Sequence, residues 1–459
     1  FHHLFYSGLF GLGISLWFVI PQALNSKWQT ATPMTWVFND FWKEVIPVSY
    51  RPLLYAMLLL IPIISFGLGR RFLSTSAFMK EFIYWLIPLL ACGFMYLIFP
   101  KLGLVDARVV PQAQLFLALL IFTWMGQSLE VFPDKVQTIC VMVVVGLTLW
   151  WTQKNIVNYP HWVRWNYSGW QSKKLTSQAA ELHNYLKGSF SDPRVIGEHH
   201  EILDQAGTIR LFEMLPYFSG RGTMESLYDQ AIHTSALGFY LQAKVSVHPS
   251  CPIRGIVCPS VNFTDVTPKL NVLGIRDIIL VSDEAKQKMS EAPMFHSVFE
   301  AGVFKVYRWS DSVPLVETLK VPPQFLESDS DYKNIFYKWF TDYDGTQPHK
   351  IVAAASEIDF AKVLDEQQSC HPVVQAEFNR ITLHTDCPGK IHYLKFAYHP
   401  SFQSLTGERI FLMTPGFMGI VPKGNDVVLE FGHSWIWIFS TMLSIAFLVS
   451  MILIGRRKI

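Results

Sequence analysis

Six apolar runs, each close to the roughly 17 to 25 residues that a helix needs to cross a bilayer, constrain this chain more than any other feature. They fall at 5–24, 52–69, 81–100, 110–130, 136–152 and 434–455, so five crowd the first third and one closes the chain. Inside hydrocarbon every backbone polar group must be satisfied within its own segment, so such runs fold as helices. The charged content agrees: only 16% of the 459 residues are Asp, Glu, Lys or Arg, against about 25% in a soluble domain. A net charge of +2, with no basic patch interleaved with aromatics, argues against nucleic acid as a partner.

The opening run FHHLFYSGLFGLGISLWFVIPQAL has neither the basic stretch nor the small-residue cleavage site of a signal peptide. It reads as a membrane helix entered partway through a longer protein, so a truncated N-terminus is expected. Arg70, Arg71, Lys80, Lys135, Arg456, Arg457 and Lys458 fall on one side when the spans alternate, and the positive-inside rule makes that side cytoplasmic. Lys27, Lys43, Lys101 and Arg108 on the other side soften the bias. The expected order is a transmembrane bundle over 1–152, a mixed α/β domain over 153–322 and a linker over 323–350. A β-sandwich over 351–433, and a final span with its tail over 434–459, complete it. The fold class is thus a polytopic α-helical membrane protein with a large extracytoplasmic α/β plus β-sandwich region.

In KKLTSQAAELHNYLK, Leu175, Ala179, Leu182 and Leu186 share a helical face, with Thr176 or Ser177 as the cap. PRVIGEHH, DIILVS, VFKVYRW and KIVAAAS are short apolar or alternating runs bounded by turn residues, each consistent with a strand. From FNRITLHTD to DVVLEFG the strands recur at sandwich spacing. Cys92 and Cys140 lie in spans. Cys251, Cys258, Cys370 and Cys387 lie in the outward segment, where local disulfides 251 with 258 and 370 with 387 compete with free thiols. No zinc-type Cys/His spacing, GxSxG elbow or phosphate loop occurs, so neither a metal nor another cofactor is expected.

The runs DARVVP at Asp106–Pro111, WVRWNYSG at Trp162–Gly169 and LPYFSGRGTMESLY at Leu215–Tyr228 begin a series. PIRG, LGIRDIIL, LKFAYHPSF and TPGFMGIVP continue it, ending at Pro422. In this order they resemble the bacterial multi-spanning membrane proteins called 6-pyruvoyl-tetrahydropterin synthase-related, which are similar to the GT-C superfamily of lipid-linked-sugar glycosyltransferases. The resemblance covers most of the chain. It departs where the family tends to a YPNW-like run and this chain has YHPSF, and where a Tyr-Glu pair is replaced by Trp170 and Gln171. It implies transfer of a sugar from a polyprenyl-phosphate donor to an extracytoplasmic acceptor. It also implies a catalytic carboxylate on the first outward loop, upstream of Phe1.

Such a reaction needs a carboxylate for the acceptor hydroxyl, cations for the phosphate and aromatic faces for sugar rings. Asp40 and Asp106 are the carboxylate candidates. Asp40 sits with Glu44 in WVFNDFWKEV on an interfacial helix, where a solvated polar face is the plainer reading. Arg108 suits a lipid phosphate through its planar fork, or snorkels to headgroups as a helix-end arginine. Trp162, Trp165, Asn166 and Tyr167 either contact the sugar or anchor the interface belt. Arg210, Glu225 and Tyr228 read as a carbohydrate or a packing cluster, and the pairs His2-His3 and His199-His200 lack a third ligand. The expected partners are the bilayer, a polyprenyl-phosphate-linked sugar, and a glycan or protein of the cell envelope. The rival reading is a non-catalytic membrane-anchored scaffold or accessory subunit whose extracytoplasmic domain binds protein or glycan. A transporter fits less well, because the spans carry few charges.

Overall fold

The structure is a computed structural model. It describes residues 2–30, 46, 51, 54–55, 76–102, 106–129, 132–155, 158–225, 232–250, 257–326, 328, 330–353, 370–432 and 434–456. The chain divides into a larger unit, Phe1–Thr30 with Gly169–Ile459, and a smaller one, Ala31–Ser168.

Among the described residues, five long α-helices precede Gly169: α1 (His2–Leu24), α2 (Ser76–Ile98), α3 (Val110–Leu129), α4 (Asp134–Asn155) and α5 (Asn158–Tyr167). Among the described residues, four helical segments are long and apolar enough to cross a membrane: Phe5–Leu24, Lys80–Ile98, Asp134–Trp151 and Trp435–Ile454. The expected run at 110–130 is the helix α3, whose apolar stretch Ala107–Thr123 is shorter. The expected span at 52–69 lies outside the described residues except for 54 and 55.

Beyond Gly169 the larger unit begins with α6 (Thr176–Tyr185), which buries Leu175, Ala179, Leu182 and Leu186 as their spacing requires. The cap differs from expectation. Leu175 holds the N-cap position without a side-chain bond, because the Thr176 hydroxyl donates instead to the carbonyl of Trp170. Strands β1 (Arg194–Gly197), β2 (Ile275–Leu280), β3 (His296–Ala301) and β4 (Phe304–Arg308) form a sheet ordered β1-β2-β4-β3. Only β1 and β2 run parallel, and the crossover between them carries α7 (Ser235–Val245). Helix α8 (Asp283–Ser290) follows β2, capped by Ser282, whose hydroxyl accepts from Ala285 N–H.

Two further sheets face each other. One is ordered β5-β10-β13-β12-β7-β6 and uses Val316–Thr318 (β5), Gln324–Leu326 (β6), Lys350–Val352 (β7), His392–Ala397 (β10), Ile410–Met413 (β12) and Phe417–Ile420 (β13). The other is ordered β11-β14-β9-β8 and uses Val373–Ala376 (β8), Arg380–His384 (β9), Phe402–Ser404 (β11) and Asp426–Phe431 (β14). Leu394, Met418 and Ile420 of the first meet Ile381, Leu383 and Leu429 of the second in one apolar cluster, which makes a sandwich.

The stretch 323–350, read from sequence as a linker, is structured. It holds β6 and α9 (Tyr332–Asp342), and α9 buries Tyr332, Phe336, Trp339 and Phe340. Each such side chain contributes about 1.5 to 3 kcal/mol on burial. Lys333, Asn334 and Lys338 interrupt these apolar residues along the sequence and dilute the apolar signal. The sandwich likewise reaches back beyond 351, since β5 and β6 complete its larger sheet.

The last helix, α10 (Trp435–Arg456), packs along α1. Gly13 permits the approach: a Cβ there would lie 2.3 Å from the ring of Phe447. Phe10 meets Phe447 edge-on at 6.5 Å, and Trp17 N–H donates to Ser444 Oγ at 2.8 Å. Past α1, Trp28 is buried with its ring 5.1 Å from Tyr398 and 5.5 Å from Tyr332, which ties the helix to the sandwich side of the unit.

Candidate functional site

In the smaller unit, α2 and α3 pack together and leave a cavity of about 470 Å³ between them. Its walls are apolar because both helices are apolar around their circumference: Ala91, Cys92 and Met95 come from α2, and Phe116 from α3. Phe99, Arg108, Val109 and Gln112 close the end where α2 gives way to α3. Arg108 stands in the turn Asp106–Val109 and is exposed, while its neighbour Val109 is buried. Burial of Val109 fixes the turn, and the turn presents the guanidinium at the cavity end. An apolar slot with one cation at its end suits an amphiphile with an anionic head, since the fork of a guanidinium matches phosphate oxygens.

Of the other sequence candidates, Asp106 opens the same turn, and its side chain lies outside the described residues, as do Asp40 and Glu44. Trp162, Trp165, Asn166 and Tyr167 lie on α5. Trp162, Trp165 and Asn166 share a helical face by their spacing. Trp162 is 55% and Tyr167 82% exposed. Asn166 Nδ2 donates to the Trp162 carbonyl at 2.8 Å, a bond internal to the helix.

Exposed Arg210 pairs with the largely buried Glu213 side chain, and the Glu225 carboxylate accepts from Gln242 Nε2 at 2.6 Å, while Tyr228 is outside the described residues. His199 Nδ1 bonds the His248 carbonyl and His200 Nδ1 accepts from Ile202 N–H, so both serve local structure. Cys370 and Cys387 form a disulfide. They also belong, with Asp386, to the one described grouping spaced for a metal, and the bond removes its thiolates. Cys258 is disulfide-bonded too; Cys251 lies outside the described residues.

Sequence reading missed the charges inside the larger unit. Asp277 of β2 is fully buried, 2.8 Å from Arg221 Nη1, 2.8 Å from Arg308 Nε and 3.3 Å from Arg276 Nε. Burial alone would raise its pKa, but the bonds from Arg308 and Arg221 outweigh that and hold it below the usual carboxylate value. Glu198, also fully buried, accepts from Val281 N–H at 2.8 Å and Ser282 N–H at 2.9 Å, and so fixes the start of α8. Buried Lys395 pairs with Glu317 at 2.7 Å. A lone Asp in an apolar strand was the signal available for the first of these. Arg276 is its chain neighbour, but Arg221 and Arg308 come from distant segments and could not be assigned to it from sequence.

No family model, curated protein or solved structure matches the chain. The functional reading therefore rests on the chain's own residues.

Proposed function

We propose that the chain is part of a membrane glycosyltransferase of GT-C type, transferring a sugar from a polyprenyl-phosphate donor to an extracytoplasmic acceptor. The observation that carries this is the α2–α3 slot with Arg108 at its end. An isoprenoid chain buries apolar surface along the slot at about 25 cal/mol per Å², and the guanidinium takes the phosphate. As the sugar leaves, charge builds on that phosphate, and a fixed cation then stabilises the transition state more than the bound donor. The polar segment between α5 and α10 faces outward in this reading and recognises the acceptor, with the aromatics of α5 at the interface.

A second reading is favoured by the slot's described lining, which contains no carboxylate. A protein that holds lipid phosphate without catalysing transfer would need none, and would act as a membrane-anchored scaffold. The test uses full-length protein in nanodiscs with a polyprenyl-phosphate sugar. Glycosyl transfer that falls at least about tenfold in Arg108→Ala, as expected when a charge-assisted bond of about 1.5 to 3 kcal/mol is lost, supports the enzyme. Donor binding without transfer supports the scaffold. Absence of donor binding rejects both.

A further inference from the structure

A second cavity, of about 260 Å³, lies within the larger unit and plays no part in the reading above. Arg194, the first residue of β1, lines it. Its Nη1 donates to the Leu273 carbonyl at 2.7 Å and its Nη2 to the Lys395 carbonyl at 2.5 Å. The guanidinium carbon sits 5.3 Å from the ring centre of Phe396 and 5.9 Å from that of Phe417. No described carboxylate pairs with it, in contrast to Arg221, Arg276 and Arg308, which share Asp277. Burial lowers its pKa to about 10, which leaves it charged at neutral pH. A guanidinium has five N–H groups, and the two described bonds occupy two of them. A partly buried charge without a counter-charge carries a desolvation cost, and an anion entering the cavity would supply one.

The opposite wall is the start of α7. Thr234, in the N-cap position, makes no capping bond through its side chain. Ser235 is 5% exposed, lines the cavity, and its hydroxyl has no hydrogen-bond partner. The dipole of the helix's first turn also favours negative charge, while its Ser235 and Leu237 N–H groups already donate to the Ile232 and Thr234 carbonyls. The remaining polar lining is Thr223 and Glu225. Burial, and then the charge of Glu213, raise the Glu225 pKa well above the usual value. Phe417 supplies an aromatic wall.

We propose that this cavity binds one carboxylate-bearing sugar unit of the uronic-acid type. Its carboxylate lies between Arg194 and the first turn of α7, its hydroxyls meet Ser235, Thr223 and Glu225, and its apolar ring face lies on Phe417. The single cation suits a monoanion better than a phosphate dianion. The several hydroxyl and carboxyl groups suit a polyol, and a volume just under the roughly 300 to 1,000 Å³ of drug-sized sites suits one monosaccharide. This site stands whether or not the chain transfers sugar.

The experiment is calorimetric titration of the full chain in detergent with D-glucuronate, D-glucose and inorganic phosphate. Glucuronate is expected to bind with Kd at or below about 1 mM, and glucose and phosphate at least tenfold more weakly. Ser235→Ala removes one hydroxyl that no protein group uses, so the fold is retained, and affinity falls about 3- to 10-fold, the measure of one hydrogen bond. Arg194→Lys keeps the charge and loses the planar fork, with a loss above tenfold. Should that variant fail to fold, Ser235→Ala decides alone. No glucuronate binding, equal binding of glucose or phosphate, or unchanged affinity in Ser235→Ala would each overturn the assignment.

Discussion

The interior around Asp277 and the slot around Arg108 treat charge in opposite ways. In the first, one buried carboxylate is shared by three guanidinium groups, and Arg221 spends a further N–H on the Pro193 carbonyl. In the second, a single exposed guanidinium stands at the end of an apolar slot. A charge taken out of water has to be matched, because its desolvation penalty is several kcal/mol. One left at the edge of an apolar space costs little and stays available to a ligand. The contrast separates charges that hold the fold from charges free to act on something else.

The most forceful way to break this contrast is Asp277→Asn. Removing one partner of a buried pair costs about 3 to 5 kcal/mol. At roughly 2 to 4 °C per kcal/mol for a unit of this size, the midpoint of thermal unfolding should fall by about 10 °C. An unchanged midpoint would mean that the arginines find water and that the cluster is not structural.

A smaller effect is expected from acid. Burial depresses His183, His233 and His349 to about 4, and in His233 and His349 it does so against the opposing pull of backbone hydrogen bonds. Folded, these rings stay neutral down to that value. Unfolded, they take up protons below about 6.5. Stability is therefore complete above about pH 6.5 and is lost as the pH falls toward 4, by at most about 1.4 kcal/mol per pH unit for each ring. His183→Phe keeps a ring against Phe218, 4.8 Å away, and removes the buried Nε2 that lacks a partner. Unfolding midpoints measured from pH 7 to 5 should show a shallower slope in this variant. An identical slope would show that His183 is not among the titrating groups.

The smallest expected effect on stability is that of Arg108→Ala, within about 0.5 kcal/mol. A larger loss would make Arg108 part of the scaffold and would erase the distinction between the two regions.

Much of the fold was legible because its signals are local. The burial of Leu182 and Leu186 follows from their helical spacing, and β9 and β14 alternate as half-buried strands do. Helix α9 was not legible, since Lys333, Asn334 and Lys338 interrupt its apolar residues and only tertiary contact reveals Phe336 and Phe340 as core. Arg108 drew notice as a lone cation in a short loop. The slot it closes did not, because α2 and α3 are apolar on all sides and no face of either announces a partner. Arg194 carries no signal of its own within the strand run PRVIGEHH. Its surroundings come from segments near 223, 235 and 417, which sequence proximity cannot join.

Trp28 bears on how far the larger unit can travel. Four residue steps separate the end of α1 at Leu24 from the buried indole, and four separate the end of β14 at Phe431 from the start of α10 at Trp435. At no more than about 3.6 Å per step, each tether spans at most about 14 Å. Both attachments are leashes too short for the sheets of the unit to swing clear of α1 and α10. The sheets therefore stay within a narrow zone set by the ends of α1 and α10, with no slack to leave it.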